Sequence, residues 1–220
     1  MRSTALKSAL LLSITLTAQV RQGPRFGLAI ATQTAGQFLQ WQGLPKLGPI
    51  LGWSWEIPYT HQIGILVEPN IMSKGSWIQN APLQTNTFTT LRYLELPVML
   101  KLDLDTAKNG TFLTGGIIYG YWIYGRTRVT QYGQETSNVT YNLNQPNVRR
   151  SQWSVAVGLG RAAKRWSWEL RAQSSVTPFD RFIRSQNLVF GLHFTYRLLN
   201  YEERKAKRDA QKEKEEESTE

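Results

Sequence analysis

Eight segments of this 220-residue chain alternate apolar and polar side chains with a period of two, and this pattern limits the fold more than any other feature. The clearest segment is RYLELPVMLKLDL, residues 92–104, with leucine or valine at every second position from 94 to 104. A period of two places those side chains on one face of a β-strand. The pattern therefore predicts strands at 25–33, 49–59, 62–73, 92–104, 111–125, 151–161, 165–176 and 187–198.

Short and long connections alternate between these strands. Two residues separate the second strand from the third, whereas the 25 residues 126–150 separate the fifth from the sixth. Bacterial outer-membrane barrels have this arrangement, with tight periplasmic turns and longer external loops. We therefore predict an all-β fold, an eight-stranded antiparallel transmembrane β-barrel. Its even strand number would place both termini in the periplasm.

The two faces of the strands differ in side-chain size. The apolar face carries so many tryptophans that they would crowd an eight-stranded barrel, which has room for little more than its own side chains. The opposite face carries small or polar residues: Gly52, Ser54, Ser154, Ala156, Gly158, Ser174, Gly191 and Thr195. The apolar face is therefore predicted to contact lipid, although 111–125 is apolar on both faces and its orientation stays open.

Aromatic residues near the strand ends match the girdles of membrane barrels, which lie at the two membrane interfaces. The alternative is that these rings belong to the core of a soluble barrel. The predicted girdle consists of Trp53, Trp55, Tyr59, Trp153, Trp166 and Trp168.

The predicted inward face also carries charges. A single buried charge would be very costly, but carboxylates paired with arginine and lysine can form a hydrogen-bonded network. We predict that such a network plugs the barrel; the alternative is a narrow or gated conduction path. Its members are Glu56, Lys101, Glu169 and Arg197 near the periplasmic ends, and Glu68, Glu95, Arg171 and His193 nearer the middle.

The two ends of the chain differ from the predicted barrel region, 19–200. Residues 1–18 contain Arg2 and Lys7 followed by an apolar run and small residues, the pattern of a cleavable signal peptide. Residues 201–220 form a charged tail, which is either a solvated helix or disordered. This tail is predicted to lie in the periplasm.

Several functional classes find no support in the composition. The chain has no cysteine, so a disulfide framework and a cysteine-based metal site are excluded. Its net charge of +10 is scattered and matches no nucleic-acid-binding signature. The two histidines form no cluster with carboxylates and no evident catalytic constellation. We therefore predict no metal site, no cofactor, no nucleic-acid binding and no enzymatic activity.

Three segments resemble the PorT-like outer-membrane β-barrel family of Bacteroidetes. They are LGPILGWSWEIPYTHQIGILVEPNIMSKGS (47–76), YLELPVMLKLDL (93–104) and LTGGIIYGYWIYG (113–125). The founding member of that family belongs to the type IX secretion machinery, so the resemblance implies a role in the outer membrane. Thr106 lies in an Asp-Thr-Ala triplet that resembles the short O-glycosylation pattern of exported Bacteroidetes proteins.

Together these observations predict a non-enzymatic interaction or scaffold subunit of an outer-membrane complex, such as a secretion system. The expected partners are outer-membrane lipid and other outer-membrane or periplasmic proteins. The expected binding surfaces are the 126–150 loop, the lipid-facing aromatics and the tail. A small-solute pore is the alternative function, and a lipid-modifying barrel enzyme is a further one.

Overall fold

A computed structural model describes residues 20–34, 44–60, 62–80, 83–105, 110–142, 149–178 and 186–198. The predicted signal peptide, the charged tail and Thr106 lie outside these residues. Within them there is no helix of the length and apolarity needed to cross a membrane. The ten strands are β1 (Arg21–Thr34), β2 (Leu44–Pro58), β3 (Ile63–Val67), β4 (Asn70–Asn80), β5 (Thr85–Asp103), β6 (Thr111–Gln131), β7 (Gln134–Thr140), β8 (Ser151–Ala162), β9 (Trp166–Ser175) and β10 (Gln186–Tyr196).

Antiparallel pairing closes the strands into a ring. β1 pairs with β2 and β10, and the ring continues from β10 through β9, β8 and β6 to β5. Between β2 and β5, one position in the ring is shared by β3 and β4, which follow each other along the same path. In the described part of the chain β7 pairs with β6 alone. Counting β3 and β4 once and leaving out β7 gives eight positions, so the predicted antiparallel barrel is confirmed.

The shared position is interrupted at Glu68 and Pro69. Proline lacks the N–H of a regular ladder, yet the Pro69 carbonyl oxygen accepts a hydrogen bond of 2.9 Å from the Trp53 N–H. On the other side, the Glu68 N–H donates to the Pro97 carbonyl oxygen at 3.0 Å. Neighbouring strands therefore remain joined across the break, and the Glu68 side chain is fully buried in the interior.

The two ends of the barrel differ in their connections. At the turn end, residues 59–62 join β2 to β3 and residues 163–165 join β8 to β9. At the opposite hairpin end, β4 and β5 remain paired out to Asn80 and Thr85, and β6 and β7 out to Gln131 and Gln134. The long links predicted at 74–89 and 126–150 are therefore largely paired strands, because hydrogen bonding continues beyond the amphipathic segments.

The apolar face of the strands points outward. On β5 the side chains at every second position from Leu94 to Leu102 are 40% to 56% exposed, and those between them are buried. The column from Leu94 to Leu104 extends about 33 Å along the strand, or about 25 Å along the barrel axis at a strand tilt of about 40°. That length matches the apolar band of a membrane barrel.

The structure corrects one predicted side-chain orientation, on β9, and settles the orientation of β6. Ser174, predicted to face the interior, faces outward, because the inward residues of β9 are those at 169, 171, 173 and 175. β6, whose orientation the sequence leaves open, directs Leu113, Ile117, Tyr119 and Ile123 outward and Phe112, Thr114, Ile118 and Trp122 inward.

Side chains fill the interior between the charged groups. Near the hairpin end Leu91, Tyr93 and Trp122 are fully buried and pack together, with Tyr141 against them. An eight-stranded barrel is just wide enough to be filled in this way. Two further apolar clusters lie deeper in the barrel: Ala29, Ala31, Ile50, Met72 and Val189, and Leu66, Met99, Ile118 and Ala156.

Candidate functional site

Four charged side chains form a closed ring of ion pairs inside the barrel, here called the central ion ring. Arg25 contacts Glu68 and Glu169, each at 2.7 Å. Arg171 contacts Glu68 at 2.7 Å and Glu169 at 2.8 Å. None of the four residues is more than 4% exposed. Two arginines and two carboxylates cancel in charge, and each has two partners of opposite sign.

Elements far apart in sequence supply the central ion ring. Arg25 is on β1 and Glu68 lies at the break between β3 and β4, while Glu169 and Arg171 occupy alternate positions of β9. Alternate residues of a strand point to the same face, so both β9 side chains enter the interior. The Arg171 guanidinium forms a fork on Glu169, with Nε donating to Oε1 at 3.0 Å and Nη2 to Oε2 at 2.8 Å.

Neutral side chains complete the hydrogen bonding of the central ion ring. Ser54 Oγ donates to Glu68 Oε1 at 3.2 Å, and Thr114 Oγ1 donates to Glu169 Oε1 at 2.5 Å. Arg25 Nε donates to His193 Nδ1 at 3.2 Å. With the arginine contacts, all four carboxylate oxygens accept at least one hydrogen bond. A buried ionic group is stable under this condition, because each lost contact with water is replaced.

A glycine on β8 gives the ring its space. Gly158 faces the interior, and a Cβ atom at this position would collide with Glu169 Oε1 and Thr114 Oγ1. The absence of a side chain therefore allows the hydrogen bond between Thr114 and Glu169.

A second charged group lies between the central ion ring and the turn end. Glu56 is at its centre, 2.9 Å from Lys101, 3.2 Å from Arg197 and 3.3 Å from Arg21. Lys101 also contacts Asp103 at 3.0 Å. A cavity of about 20 Å³ lies between this group and the central ion ring. It has room for about one water molecule.

A third charged group lies on the hairpin side of the central ion ring. Lys74 Nζ is 2.5 Å from Glu95 Oε1, and both side chains are 1% exposed. Gln173 Nε2 donates to the same Glu95 oxygen at 3.1 Å. The Lys74 ammonium also lies over the Tyr93 ring, 4.9 Å from its centre. The apolar cluster at the hairpin end follows directly above this pair.

The structure divides the eight predicted network residues among these three groups. Sequence position predicts Glu169 near the turn end, but it belongs to the central ion ring, because its carboxylate lies between the two ring arginines. His193 adjoins the ring through Arg25. The eight residues are distributed as Glu68, Glu169, Arg171 and His193 in or beside the ring, Glu56, Lys101 and Arg197 at the turn end, and Glu95 toward the hairpin end.

Sequence reasoning missed three cations of these groups, Arg21, Arg25 and Lys74. Arg21 precedes the first predicted strand, Arg25 is the first residue of that strand, and Lys74 follows the last residue of another, so the alternation pattern assigns none of them to a face. A signal was nevertheless present. Among the predicted inward residues four carboxylates face only three lysines or arginines, and a buried surplus of negative charge is very costly.

The predicted girdle residues lie on the outward face. Trp153 is near the hairpin end. Trp53 is the outward residue of β2 next to Trp55 on the side of the hairpin end. The remaining girdle residues are near the turn end: Trp55, Tyr59, Trp166 and Trp168. The structure adds aromatic partners at both levels. Phe26 stacks on Phe194 at 5.8 Å near the turn end, and Tyr119 contacts Trp153 at 5.1 Å near the hairpin end.

The potential for metal binding follows from the same side chains. Within the described ranges, no three His, Cys, Asp or Glu side chains are grouped so that they could hold a metal ion. The carboxylates of the central ion ring are instead occupied by the two arginines.

Comparison with known proteins agrees with this architecture. A family model described as "Outer membrane protein beta-barrel domain" matches residues 17–196. The comparison with curated proteins finds no match.

Three bacterial proteins are among the solved structures to which the chain is similar. Ail, the attachment invasion locus protein of Yersinia pestis, solved with the heparin analogue sucrose octasulfate, has a TM-score of 0.48 at 11% identity, over 81% of this chain and 99% of that chain. Neisserial surface protein A has a TM-score of 0.44 at 10% identity, over 80% and 96%. OprG from Pseudomonas aeruginosa has a TM-score of 0.41 at 10% identity, over 81% and 94%.

Proposed function

Because the chain belongs to the outer membrane protein β-barrel domain family, we propose that it is a closed outer-membrane barrel that acts as a non-enzymatic interaction or scaffold subunit. The observation that carries this proposal is the central ion ring. Its arginines and carboxylates compensate each other completely, with ion-pair distances of 2.7 Å to 2.8 Å. A barrel closed in this way presents surfaces and holds them in place.

The closed interior favours a scaffold over a pore. A conducting path would need a continuous polar channel, whereas this interior alternates charged groups with packed apolar clusters. An ion crossing the barrel would have to separate arginine and carboxylate partners that are hidden from water. A buried charge without its partner is strongly unfavourable, so this arrangement opposes the passage of ions.

The binding surface of the proposed scaffold is the hairpin end. All seven residues of β7 are exposed, and the β6–β7 hairpin extends beyond the ring. Its partners would be other proteins of the outer membrane or periplasm, in an assembly such as a secretion complex. The hairpin can change without loss of the barrel, because the ring closes through β6 and β8.

We further propose that the hairpin end faces the cell exterior and that both termini are periplasmic, since long hairpins are external in such barrels. The chain has no cysteine, so single cysteines can be labelled without background. A membrane-impermeant maleimide should label Ser137→Cys on β7 in intact cells. Lys164→Cys, in the turn between β8 and β9, should react only after the outer membrane is permeabilised. The reverse pattern would show the opposite orientation.

Partner capture tests the scaffold role. The tagged full chain should retain a stoichiometric protein partner when it is isolated from native outer membranes in mild detergent. A variant in which residues 130–136 are replaced by Asn-Gly, a two-residue hairpin turn, should fold but lose that partner. Recovery of the barrel alone from the parent would contradict the scaffold role.

Conductance separates the scaffold from the pore alternative. The purified parent, reconstituted in planar lipid bilayers, should show no stable unitary currents, with a porin of known conductance as the positive control. Reproducible current steps from the parent would show that the central ion ring does not close the lumen.

A further inference from the structure

Positive side chains at the hairpin end outnumber the acidic ones. Lys74 is paired with Glu95 inside the barrel, and Arg128 is paired with Glu135 on the exposed hairpin at 2.6 Å. Within the described residues, both acidic side chains of this end are therefore occupied. Five cations there have no acidic partner within the described ranges: Lys46, Arg92, Arg126, Arg149 and Arg150.

The sequence of the connecting segments adds no obvious counter-charge. Residues 35–43, 81–82 and 143–148 contain no aspartate or glutamate. The segment 179–185 contains Asp180, but Arg181 and Arg184 accompany it. The positive charge of the hairpin end is thus a property of the chain and is available to an external anion.

Arg92 lies where the apolar face of β5 ends. It occupies the next outward position after Leu94 and is exposed. Its guanidinium lies over the ring of Tyr124 on β6, 5.3 Å from the ring centre. A cation–π contact of this kind uses the flat face of the guanidinium and leaves the N–H groups at its edge available to an acceptor.

Lys46 brings a second cation close to Arg92. Its ammonium donates to Thr90 Oγ1 and, at 3.3 Å, to the Thr89 carbonyl oxygen. Thr90 and Arg92 are alternate residues on the same face of β5, about 7 Å apart. The Lys46 ammonium is therefore held beside the residue that neighbours Arg92 on this face, and two like charges placed close together repel each other. An anion between them would stabilise the arrangement.

Arg150 supplies a third cation on the other side of β6. Its guanidinium lies over the ring of Tyr121, 4.7 Å from the ring centre. Its Nε atom is buried and has no hydrogen-bond partner within the described structure. β5 and β8 flank β6, and Arg92 and Arg150 lie opposite positions 124 and 122 of β6, so their backbones are about 12 Å apart across the sheet. This unpartnered donor is a second, independent sign that an acceptor belongs here.

We propose that Lys46, Arg92 and Arg150, here called the cationic rim, bind the phosphate groups of an anionic lipid in the leaflet at the hairpin end. The lipid-facing surface begins immediately below these cations, with Leu94 49% and Ile123 40% exposed. Acyl chains pack on that surface, and the arginines hold the phosphates through their planar forks. This continuity with the apolar face selects a lipid over a soluble anion.

Native mass spectrometry of the purified full chain in detergent micelles tests the proposal, with bisphosphorylated lipid A as the probe. The variant Arg92→Gln/Arg150→Gln removes two rim cations. The matched control Arg161→Gln/Arg165→Gln removes two positive charges at the turn end. We expect the rim variant to bind lipid A about 25-fold more weakly, which is about fivefold, or about 1 kcal/mol, for each arginine. The control variant should bind like the parent.

Three results would overturn the proposal. Equal weakening in both variants would show that net charge alone governs binding. Equal binding of enzymatically dephosphorylated lipid A would show that only the acyl chains are recognised. Displacement of lipid A by millimolar inorganic phosphate would identify a site for a free anion. Heat-dependent gel mobility confirms that each variant is folded. The conductance and partner-capture experiments test the scaffold role separately, so none of these lipid-binding results alters their interpretation.

Discussion

Arg171→Leu will lower the free energy of unfolding of the barrel by about 3–5 kcal/mol, the usual cost of removing one partner from a buried ion pair. The substitution leaves Glu68 and Glu169 with Arg25 as their shared arginine, so one negative charge in the interior is uncompensated. Leucine also cannot donate the hydrogen bonds that both carboxylates receive from Arg171. Urea unfolding in lipid vesicles, followed by tryptophan fluorescence, measures the change.

The control for this prediction is Arg128→Leu on the β6–β7 hairpin. The ion pair of Arg128 with Glu135 is equally short, at 2.6 Å, but its side chains are 54% and 36% exposed. An exposed pair contributes about 0–1 kcal/mol, so this variant should unfold nearly like the parent. A similar loss of unfolding free energy in the two variants would show that burial does not determine how much an ion pair contributes to the stability of the barrel.

A double variant separates charge imbalance from lost packing. Adding Glu68→Leu to Arg171→Leu leaves Arg25 and Glu169 as a complete pair of opposite charges. The double variant should therefore be more stable than Arg171→Leu alone, although a carboxylate has been removed. None of these variants should conduct ions, because the apolar clusters of the interior remain packed.

Leu100→Arg should lower the free energy of unfolding by about 2–4 kcal/mol, the cost of a basic residue on the lipid face near the membrane midplane. Leu100 is 56% exposed on the outward face of β5, and its neighbours on that face are leucine and valine. In lipid, the guanidinium would lose its contact with water. The same unfolding measurement in vesicles detects the effect.

Val139→Arg is the matched control for the lipid face. Val139 is also 56% exposed, but it lies on β7, which is outside the ring. Arginine there remains in water, so the change in stability should be within about 0.5 kcal/mol. If both substitutions were equally mild in vesicles, the outward leucines would face water, and the assignment of the apolar face to lipid would be wrong.

The regular part of the barrel is predictable because a period of two acts within a single strand. In residues 92–104 every second side chain is apolar, and in the structure those side chains point outward. The start of β5 at Thr85 was missed because residues 85–91 lie in the hairpin extension. That extension pairs with β4 and β6 but does not separate lipid from interior, so its sequence shows no such alternation.

The partners within the interior could not be predicted in the same way. Arg25 meets Glu169 across 144 positions of sequence, and the contact depends on how far each strand is staggered against the next. Period two tells which side chains enter the interior but not at which height. The break between β3 and β4 at Glu68 and Pro69 is a further irregularity that no alternation pattern predicts.

The composition of the central ion ring bears on how the barrel is assembled. β1 and β10 form the seam at which the first and last strands meet, and the ring joins Arg25 on one side of that seam to β9 on the other. In an open sheet Arg25 could not reach Glu169, so Arg25 would keep only Glu68 as a partner and Glu169 would keep only Arg171. Closure of the seam therefore completes the ion pairing of both residues in one step. The ring thus makes the full compensation of the buried charges depend on the meeting of the first and last strands.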